Sequence, residues 1–304
     1  MRIGLSGGGT TIDRMIEQAV QAEADGFTSL WYAGAVGGDP LIPMSHVGRT
    51  TTTIELGTSI LQSYPCHPVL MATRAASAAN AMGRPGLTLG IGPSHAPVVE
   101  NTYGVPYDHP GRHTEEYVSV LAPLLRGESV DVRGAEYTVK ARGTVPEPGP
   151  VPLLVAALAP RLLRVAGASA AGTITWMANA RAVGELIAPR INAAAADAGH
   201  GAPRVVVGLP VAVHDDVSEA REAAAQQFAI YGSLPNYQRV LSRGGIEQPA
   251  DAAIVGDEDA VRAQVMALFA AGATDVWAAV FAVGDDRGAS RDRTRALLRD
   301  LAVS

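Results

Sequence analysis

The sequence predicts a (β/α)8 barrel, the TIM-barrel architecture, formed by a single domain over residues 1–304. Eight short apolar segments alternate with amphipathic helical segments, and this alternation favours a parallel sheet with right-handed crossovers. The joins are short, and 304 residues lie within the length range of one large barrel. Eight strand–helix units fit a closed barrel better than a doubly wound open sheet.

The first half of the chain accounts for four of these strands. They are predicted at residues 3–6, 27–33, 54–60 and 86–92, with helices at residues 12–20, 41–47 and 69–82. Thr10 and Asp13 resemble a capping box for the first helix, and Gly26 is expected to end it. The fourth strand alternates apolar residues with smaller ones, which suits a strand buried in a parallel sheet.

The second half predicts four more strands, at residues 152–158, 172–177, 205–213 and 275–283, with helices at residues 160–170, 183–198 and 294–301. Two longer stretches, about residues 100–150 and 214–256, are predicted to be insertions after strands four and seven. The first insertion should hold a helix at residues 113–125 and a hairpin turning at Arg133-Gly134. After the second insertion, Asp257 is expected to cap a helix.

Composition excludes several classes of protein. The net charge of −6 and the pI near 5.6 argue against nucleic-acid binding. We find no apolar run long enough to cross a membrane and no signal sequence after Met1. Cys66 is the single cysteine, which excludes an internal disulfide and a cysteine metal cluster. We therefore expect a cytoplasmic protein.

In a barrel of this kind the functional site lies at the C-terminal ends of the strands. The most informative strand end is the turn Gly92-Pro93-Ser94-His95, which leads from a buried strand into a predicted helix. Gly92 permits close approach of a ligand, Ser94 is a candidate helix cap, and free backbone N–H groups at such a turn attract anions. Glycine is also required at strand-to-helix turns for geometry alone, so both explanations remain open.

The same turn does not match two common motifs. A dinucleotide-binding fingerprint would need a third glycine after Gly90 and Gly92, where His95 stands, and it would follow the first strand and not the fourth. A serine nucleophile at Ser94 would need a glycine where Ala96 stands.

A metal site is also disfavoured. His109 and His113 are four residues apart, but Pro110 and Gly111 between them should break a helix. We interpret both as solvated loop histidines, not as a metal pair. With no metal set and no convincing nucleophile, the sequence indicates chemistry supplied by an organic cofactor, and small residues at the strand ends suit a flat ring.

Several segments, in their order and spacing, resemble the luciferase-like monooxygenase superfamily, more particularly its branch that uses the deazaflavin coenzyme F420. The matching segments are ADGFTSLW at residues 24–31, GTSIL at 57–61, GLTLGIG at 86–92, Ser94-His95, PVVE at 97–100, ALAP at 157–160 and VGD at 255–257.

The resemblance implies a barrel with the cofactor ring at its C-terminal mouth. A bulged third strand with a cis peptide bond between Ser59 and Ile60 would support the ring, and two turns would hold the ribityl chain and phosphate through backbone N–H groups. The cofactor-binding residues implied are Ser59, Ile60, Gly90, Gly92, Pro93, Ser94, His95, Ala156, Ala157, Leu158, Ala159 and Pro160. Two of these positions also have a purely structural explanation. Ser59 would then be a small residue inside a barrel strand, and Ala157 would pack in the core.

This chain also departs from the pattern. Many relatives carry an acidic residue and a histidine at the end of the second strand, where residues 31–35 offer neither. His95 stands where sugar-phosphate-oxidising relatives have glutamate, so that substrate class is disfavoured. His95 is then the main candidate for a catalytic proton donor or acceptor, because an imidazole titrates near neutrality. Hydrogen bonding to the cofactor phosphate or to backbone is the alternative role.

The resemblance thus implies an oxidoreductase that moves a hydride between F420 and a small apolar organic substrate. Candidate substrate contacts are Tyr64, Trp176, Met177, Tyr231 and Tyr237, and residues 233–237 are a candidate lid. The alternatives are an FMN-dependent two-component monooxygenase and a non-catalytic flavin- or deazaflavin-binding protein. A homodimer is expected from the resemblance, and a metal, nucleic acid or membrane partner is not.

Overall fold

The computed structural model describes residues 1–34 and 38–303, and within them eight parallel strands close into the predicted barrel. The described residues form twelve strands, the eight of the barrel ring and four others, namely β1 (Ile3–Gly7), β2 (Ser29–Tyr32), β3 (Glu55–Thr58), β4 (Leu61–Gln62), β5 (Leu87–Gly92), β6 (Ser129–Arg133), β7 (Thr138–Arg142), β8 (Leu153–Ala156), β9 (Gly172–Trp176), β10 (Arg204–Val213), β11 (Ile254–Gly256) and β12 (Asp275–Val280). The order around the barrel is β1-β2-β3-β5-β8-β9-β10-β12, and β12 pairs with β1 to close it.

Helices surround the barrel on the outside. They are α1 (Ile12–Ala24), α2 (Leu41–Thr50), α3 (Pro68–Met82), α4 (Ala96–Tyr103), α5 (Pro110–Leu125), α6 (Pro160–Ser169), α7 (Ala180–Ala182), α8 (Ala188–Asp197), α9 (Val217–Phe228), α10 (Pro235–Arg243), α11 (Pro249–Ala252), α12 (Glu258–Ala270) and α13 (Arg287–Val303). A π-helical turn, Val183–Ile187, joins α7 to α8, and a 3-10 helix, Ala229–Ser233, joins α9 to α10. Among these described residues, no helix is both long and apolar enough to cross a bilayer.

Side chains cap the starts of two of the predicted helices, α1 and α12. Asp257 caps α12 as predicted, since its carboxylate accepts the N–H of Ala260. The predicted cap of α1 is wrong by one residue, because Thr11 and not Thr10 accepts the N–H of Arg14. Capping depends on the backbone angles of one residue, which periodicity does not resolve.

The barrel interior is filled by a compact apolar layer. It consists of Trp31, Leu154, Ile174, Val206 and Trp277. Glycines opposite the tryptophans make this layer possible: a Cβ at residue 57 would lie 2.2 Å from the Trp31 ring, and one at residue 208 would lie 2.0 Å from the Trp277 ring. The layer closes the barrel below its mouth.

A network of ion pairs seals the opposite end, where the strands begin. The Arg204 guanidinium lies 2.7 Å from Glu55 and 2.6 Å from Asp275, and Arg2 pairs with the same two carboxylates. Burial acts to raise the pKa of Asp275, but its hydrogen bond and charge interaction with Arg204 hold that pKa below its ordinary value. The Asp275 carboxylate therefore stays ionised within this network.

The two long stretches between barrel strands carry their own elements. The first holds α4, α5 and the β6–β7 hairpin, whose turn spans residues 134–137, with the Gly134 N–H donating to the Tyr137 carbonyl at 2.8 Å. The prediction of a turn at Arg133-Gly134 was therefore early, because Arg133 pairs with Thr138. The second holds α9 to α12 and β11, a strand that the sequence analysis missed and that pairs with the end of β10.

Candidate functional site

A cavity of about 780 Å³ opens at the C-terminal mouth of the barrel. Its walls come from the ends of the barrel strands, the turns after β5 and β8, and the segment between α9 and α10. This volume lies within the usual range for a small-molecule site, roughly 300–1,000 Å³.

Most of the residues predicted to bind a cofactor line this cavity. They are Ser59, Ile60, Gly92, Pro93, Ser94, His95, Ala156, Leu158 and Ala159. These residues come from three separate strand ends, so the barrel brings together groups up to 100 positions apart in the chain. The structure places them; whether they hold a cofactor stays a prediction.

Gly90, Ala157 and Pro160 are outside the cavity wall formed by the described residues. Gly90 packs against β3, because a Cβ there would lie 2.0 Å from the Thr58 carbonyl oxygen. Ala157 is fully buried in the apolar core, which is the core-packing alternative raised from the sequence, and Pro160 is the exposed first residue of α6.

The wall between β3 and β4 has the bulged form that the resemblance implied. The Ser59–Ile60 peptide bond is cis, and β4 continues beside β5 with Gln62 opposite Gly92. Two backbone segments pack closely here, because a Cβ at Gly34 would lie 2.8 Å from the Ile60 carbonyl oxygen. At Gly92 a Cβ would lie 3.0 Å from the Ala156 Cβ and 3.3 Å from the Ile60 side chain. Small residues therefore keep this wall flat.

The turn after β5 is held by a tyrosine. Ser94 has a left-handed φ of 63°, and the Tyr107 hydroxyl donates to its carbonyl oxygen at 2.9 Å. The prediction that Ser94 caps the next helix is wrong, because His95 occupies the N-cap position of α4. Ser94 lies one residue before the N-cap, and its left-handed backbone differs from the extended backbone that an N-cap residue usually has.

Two helices begin at this end of the cavity without a side-chain cap. His95 precedes α4 and Ala159 precedes α6, and neither side chain accepts a first-turn N–H among the described residues. Arg161 and Leu162 in the first turn of α6 line the cavity. First-turn N–H groups have no intrahelical partner and carry partial positive charge, so this end of the cavity favours an anionic group.

The charged side chains on the described cavity wall are both positive. Arg161 and Arg239 line the cavity, and no carboxylate does so among the described residues. Arg161 is paired with Glu115 at 2.5 Å, whereas Arg239 makes no ion pair within the described part of the chain. Burial raises the pKa of the Tyr107 hydroxyl to about 12, against the opposing charge of Arg239. Arg239 thus adds a positive charge near the turn after β5.

His95 lies between the turn after β5 and residues 229–237, which we call the covering segment because several of its residues line the cavity. Burial lowers the pKa of its imidazole, and a hydrogen bond with the Asn236 side chain opposes this shift. The Tyr237 ring lies 5.6 Å from the imidazole. A neutral imidazole in this position is able to accept a proton or, through its N–H, to donate a hydrogen bond. No cluster of three metal-ligating side chains occurs among the residues that the structure describes.

The other end of the cavity is aromatic. It is lined by Trp31, Trp176, Trp277, Phe228, Tyr231 and Tyr237. Three of the five candidate substrate contacts named from the sequence, Trp176, Tyr231 and Tyr237, therefore lie on this wall, and their contact with a substrate stays a prediction. Tyr64 and Met177 are not on the wall of the described cavity: Tyr64 stacks on His113 at 3.8 Å and Met177 is fully buried. Trp31 and Trp277 were not predicted to line the cavity. Alternate residues of a barrel strand point inward, and this alternation could have identified both tryptophans.

The interpretation of His113 as a solvated loop residue is wrong. Its side chain is buried in α5, which starts at Pro110 because proline is tolerated in a first helical turn. Its Nε2 hydrogen-bonds Ser63 Oγ at 3.0 Å, and the Ser63 N–H donates to the Gly92 carbonyl at 2.9 Å. Burial lowers the pKa of His113 to about 4, so the neutral ring supports the turn from behind.

The sequence predicted that the end of the second strand lacks the acidic residue and the histidine that many relatives carry there. Ala33 and Gly34 line the cavity, so this strand end offers no acidic or imidazole group within the described residues up to position 34. Ala35, which belonged to the same prediction, lies outside the described residues.

Comparison with known proteins gives consistent results. A family model described as luciferase-like monooxygenase matches residues 2–304. A 5,10-methylenetetrahydromethanopterin reductase of Methanolobus tindarius is 25% identical over 80% of this chain and 74% of its own length.

Two solved structures share the fold. The coenzyme F420-dependent tetrahydromethanopterin reductase of Methanopyrus kandleri superposes with a TM-score of 0.77, at 20% identity, over 98% of this chain and 97% of its own. The oxygenating constituent of 3,6-diketocamphane monooxygenase from Pseudomonas putida, in complex with FMN, has a TM-score of 0.73 at 18% identity, over 98% of this chain and 96% of its own.

Proposed function

Because this chain belongs to the luciferase-like monooxygenase family, we propose that it is an oxidoreductase that transfers a hydride between coenzyme F420 and a small apolar organic substrate. The observation that carries the proposal is the arrangement of the mouth: a flat wall of small residues lies between a cationic end and an aromatic end. The methanopterin reductases, one of them F420-dependent by name, support the choice of F420.

The residues at the mouth fit a cofactor with a planar ring and an anionic tail. Ser59, Ile60 and Gly92 form the wall on which a ring would lie, since none projects a large polar side chain into the cavity. The first turns of α4 and α6, with Arg239, would hold the phosphate end. Ser94, Ala156 and Leu158 would complete the contact between the two parts.

The bound coenzyme would supply the hydride donor or acceptor, and the protein would position it and exclude water. His95 is the proposed catalytic group, because its neutral imidazole faces the cavity and is within reach of Asn236 on the covering segment. Its alternative role is a hydrogen bond to the cofactor phosphate. The segment of residues 233–237 would act as the lid, since Leu234 to Tyr237 line the cavity.

The FMN-dependent monooxygenase remains the second candidate, favoured by the FMN-bound neighbour of the same fold. A non-catalytic relative that binds the cofactor is the third. A homodimer, a cytoplasmic location and the division into one domain with two insertions remain parts of this proposal. Light scattering behind gel filtration measures the oligomeric state directly.

Tryptophan fluorescence tests the choice of cofactor. All three tryptophans of the chain line this cavity, so a planar chromophore bound there should quench nearly all of the signal. We expect saturable quenching on titration with F420 and none with FMN at equal concentration, after correction for absorbance. Saturable quenching by FMN alone would support the monooxygenase, and quenching by neither would contradict both.

A pair of glycine variants locates the binding. Gly92→Val should abolish quenching by F420, because its side chain would crowd Ala156 and Ile60 and displace the wall on which the ring would lie. Gly201→Val is the matched control, since a Cβ there meets no atom within 4 Å. Equal quenching in the two variants would place the cofactor elsewhere.

A further inference from the structure

The aromatic end of the cavity forms a compartment of its own. We define the aromatic compartment as Trp31, Trp176, Trp277, Phe228, Tyr231 and Tyr237. Trp176 stacks on Trp277 at 5.1 Å and meets the rings of Phe228 and Tyr231 edge-on at 6.1 Å and 5.8 Å. Tyr231 in turn meets Tyr237 at 5.0 Å. The rings form a continuous lining from the barrel floor to the covering segment.

The barrel holds the floor of the compartment rigid. The Trp31 ring packs on Gly57 and the Trp277 ring on Gly208, where any side chain would overlap the indole. Trp31 is also fixed by its own hydrogen bond, from Nε1 to Ser29 Oγ at 2.9 Å. Rings that are held in one orientation lose little freedom when a ligand binds, which favours a ligand that matches their planes.

The charges around the compartment select against cations. Aromatic ring faces attract cations by themselves, and a neighbouring carboxylate adds a second attraction. Here no carboxylate lines the cavity within the described residues, and the charged side chains on its wall are Arg161 and Arg239. Arg161 is neutralised by its pair with Glu115, but Arg239 would repel a positively charged substrate, which would also find no counter-ion on the described cavity wall.

We propose that the aromatic compartment binds an uncharged, planar aromatic substrate of fused-ring size. This inference rests on the proposed function, since it assigns the remainder of the cavity to the cofactor. A planar ring gains from stacked and edge-on contacts with the aromatic rings that face the cavity, and a saturated ring of the same size gains from neither kind of contact. Tyr231 is the residue that sets this preference, because it belongs to the covering segment and contacts Trp176 directly.

Calorimetric titration with matched probes tests the preference. Naphthalene-2-carbaldehyde and decahydronaphthalene-2-carbaldehyde have the same skeleton and differ in planarity. We expect the planar probe to bind about tenfold more tightly, the gain typical of two or three aromatic contacts. A trimethylammonium derivative of naphthalene should bind more weakly than the neutral planar probe.

Three variants identify the residue responsible. Tyr231→Leu should reduce the preference to about twofold, whereas Tyr231→Phe, which keeps the ring, should retain it. Tyr103→Leu is the matched control, because that tyrosine is 43% exposed at the end of α4 and away from the cavity wall. Equal affinity for both skeletons, tighter binding of the cationic probe, or an unchanged preference in Tyr231→Leu would overturn the proposal.

The titrations are run with and without added F420, so that two failures can be told apart. Loss of F420 quenching with a retained planar preference would contradict the proposed function and leave the compartment standing. F420 binding without any planar preference would contradict the compartment alone.

Discussion

Replacement of His113 by glutamine should change how the stability of the protein depends on pH. In the folded protein the pKa of His113 is lowered from 6.5 to about 4 by burial, although the charges of Glu136 and Glu116 oppose the shift. Between these two values the unfolded chain binds a proton that the folded chain does not bind. Stability from this residue is therefore complete above pH 6.5 and is lost as the pH falls toward 4.

The size of the effect follows from these two pKa values. One pKa unit corresponds to roughly 1.4 kcal/mol, so lowering the pKa from 6.5 to about 4 amounts to at most about 3.5 kcal/mol, of which about 2.5 kcal/mol is lost by about pH 4.5. Glutamine retains an amide that can hydrogen-bond Ser63, but it does not titrate. We expect His113→Gln to be less stable than the wild type at about pH 7.5, and the difference to shrink by about 2.5 kcal/mol at about pH 4.5.

Urea unfolding at several pH values measures this difference directly. His46→Gln, at an exposed position on α2, is the control and should follow the wild type throughout. If the difference between the wild type and His113→Gln is the same at high and low pH, the buried neutral histidine is not the cause and our reading of this network is wrong.

Three further substitutions test the site. Tyr107→Phe removes the hydrogen bond to the Ser94 carbonyl and should weaken F420 binding about tenfold, measured by tryptophan quenching; an unchanged dissociation constant would contradict the role of this contact. His95→Ala should keep F420 affinity within about threefold but lower turnover of an identified substrate at least about a hundredfold, and equal losses in both would indicate cofactor binding alone. Gly90→Ala places a Cβ 2.0 Å from the Thr58 carbonyl oxygen and should lower stability by about 3 kcal/mol or more, so an unchanged thermal midpoint would refute the packing argument.

The barrel was predictable because its signals are repeated. Each strand is a short apolar run followed by a helix, and an error of a few residues in one strand leaves the alternation intact. The elements that escaped prediction are short or atypical: β4 has two residues, β11 has three, and the π-helical turn interrupts a helix that periodicity reads as continuous. The two strands are too short for a repeating pattern to be recognised, and a π-helical turn keeps the apolar spacing of the helix around it.

The sequence predicted which backbone segments form the candidate site better than it predicted which side chains line it. Gly92 and His95 follow a strand, and the geometry of a parallel barrel brings all strand ends to one face. Gly90 and His113 were misread for the same physical reason, which is that their roles depend on packing partners 32 and 50 residues away in sequence. Phe228 lies in a long connection whose path over the mouth is a tertiary property that local patterns do not encode.

A crystal structure of the protein soaked with F420 tests the central claim most directly, namely that the barrel mouth seats a planar redox cofactor. We predict density for a three-ring system against Ser59 and Ile60, with its phosphate at the first turns of α4 and α6. A mouth without F420 density at saturating concentration, or density that lies outside the barrel mouth, would contradict it.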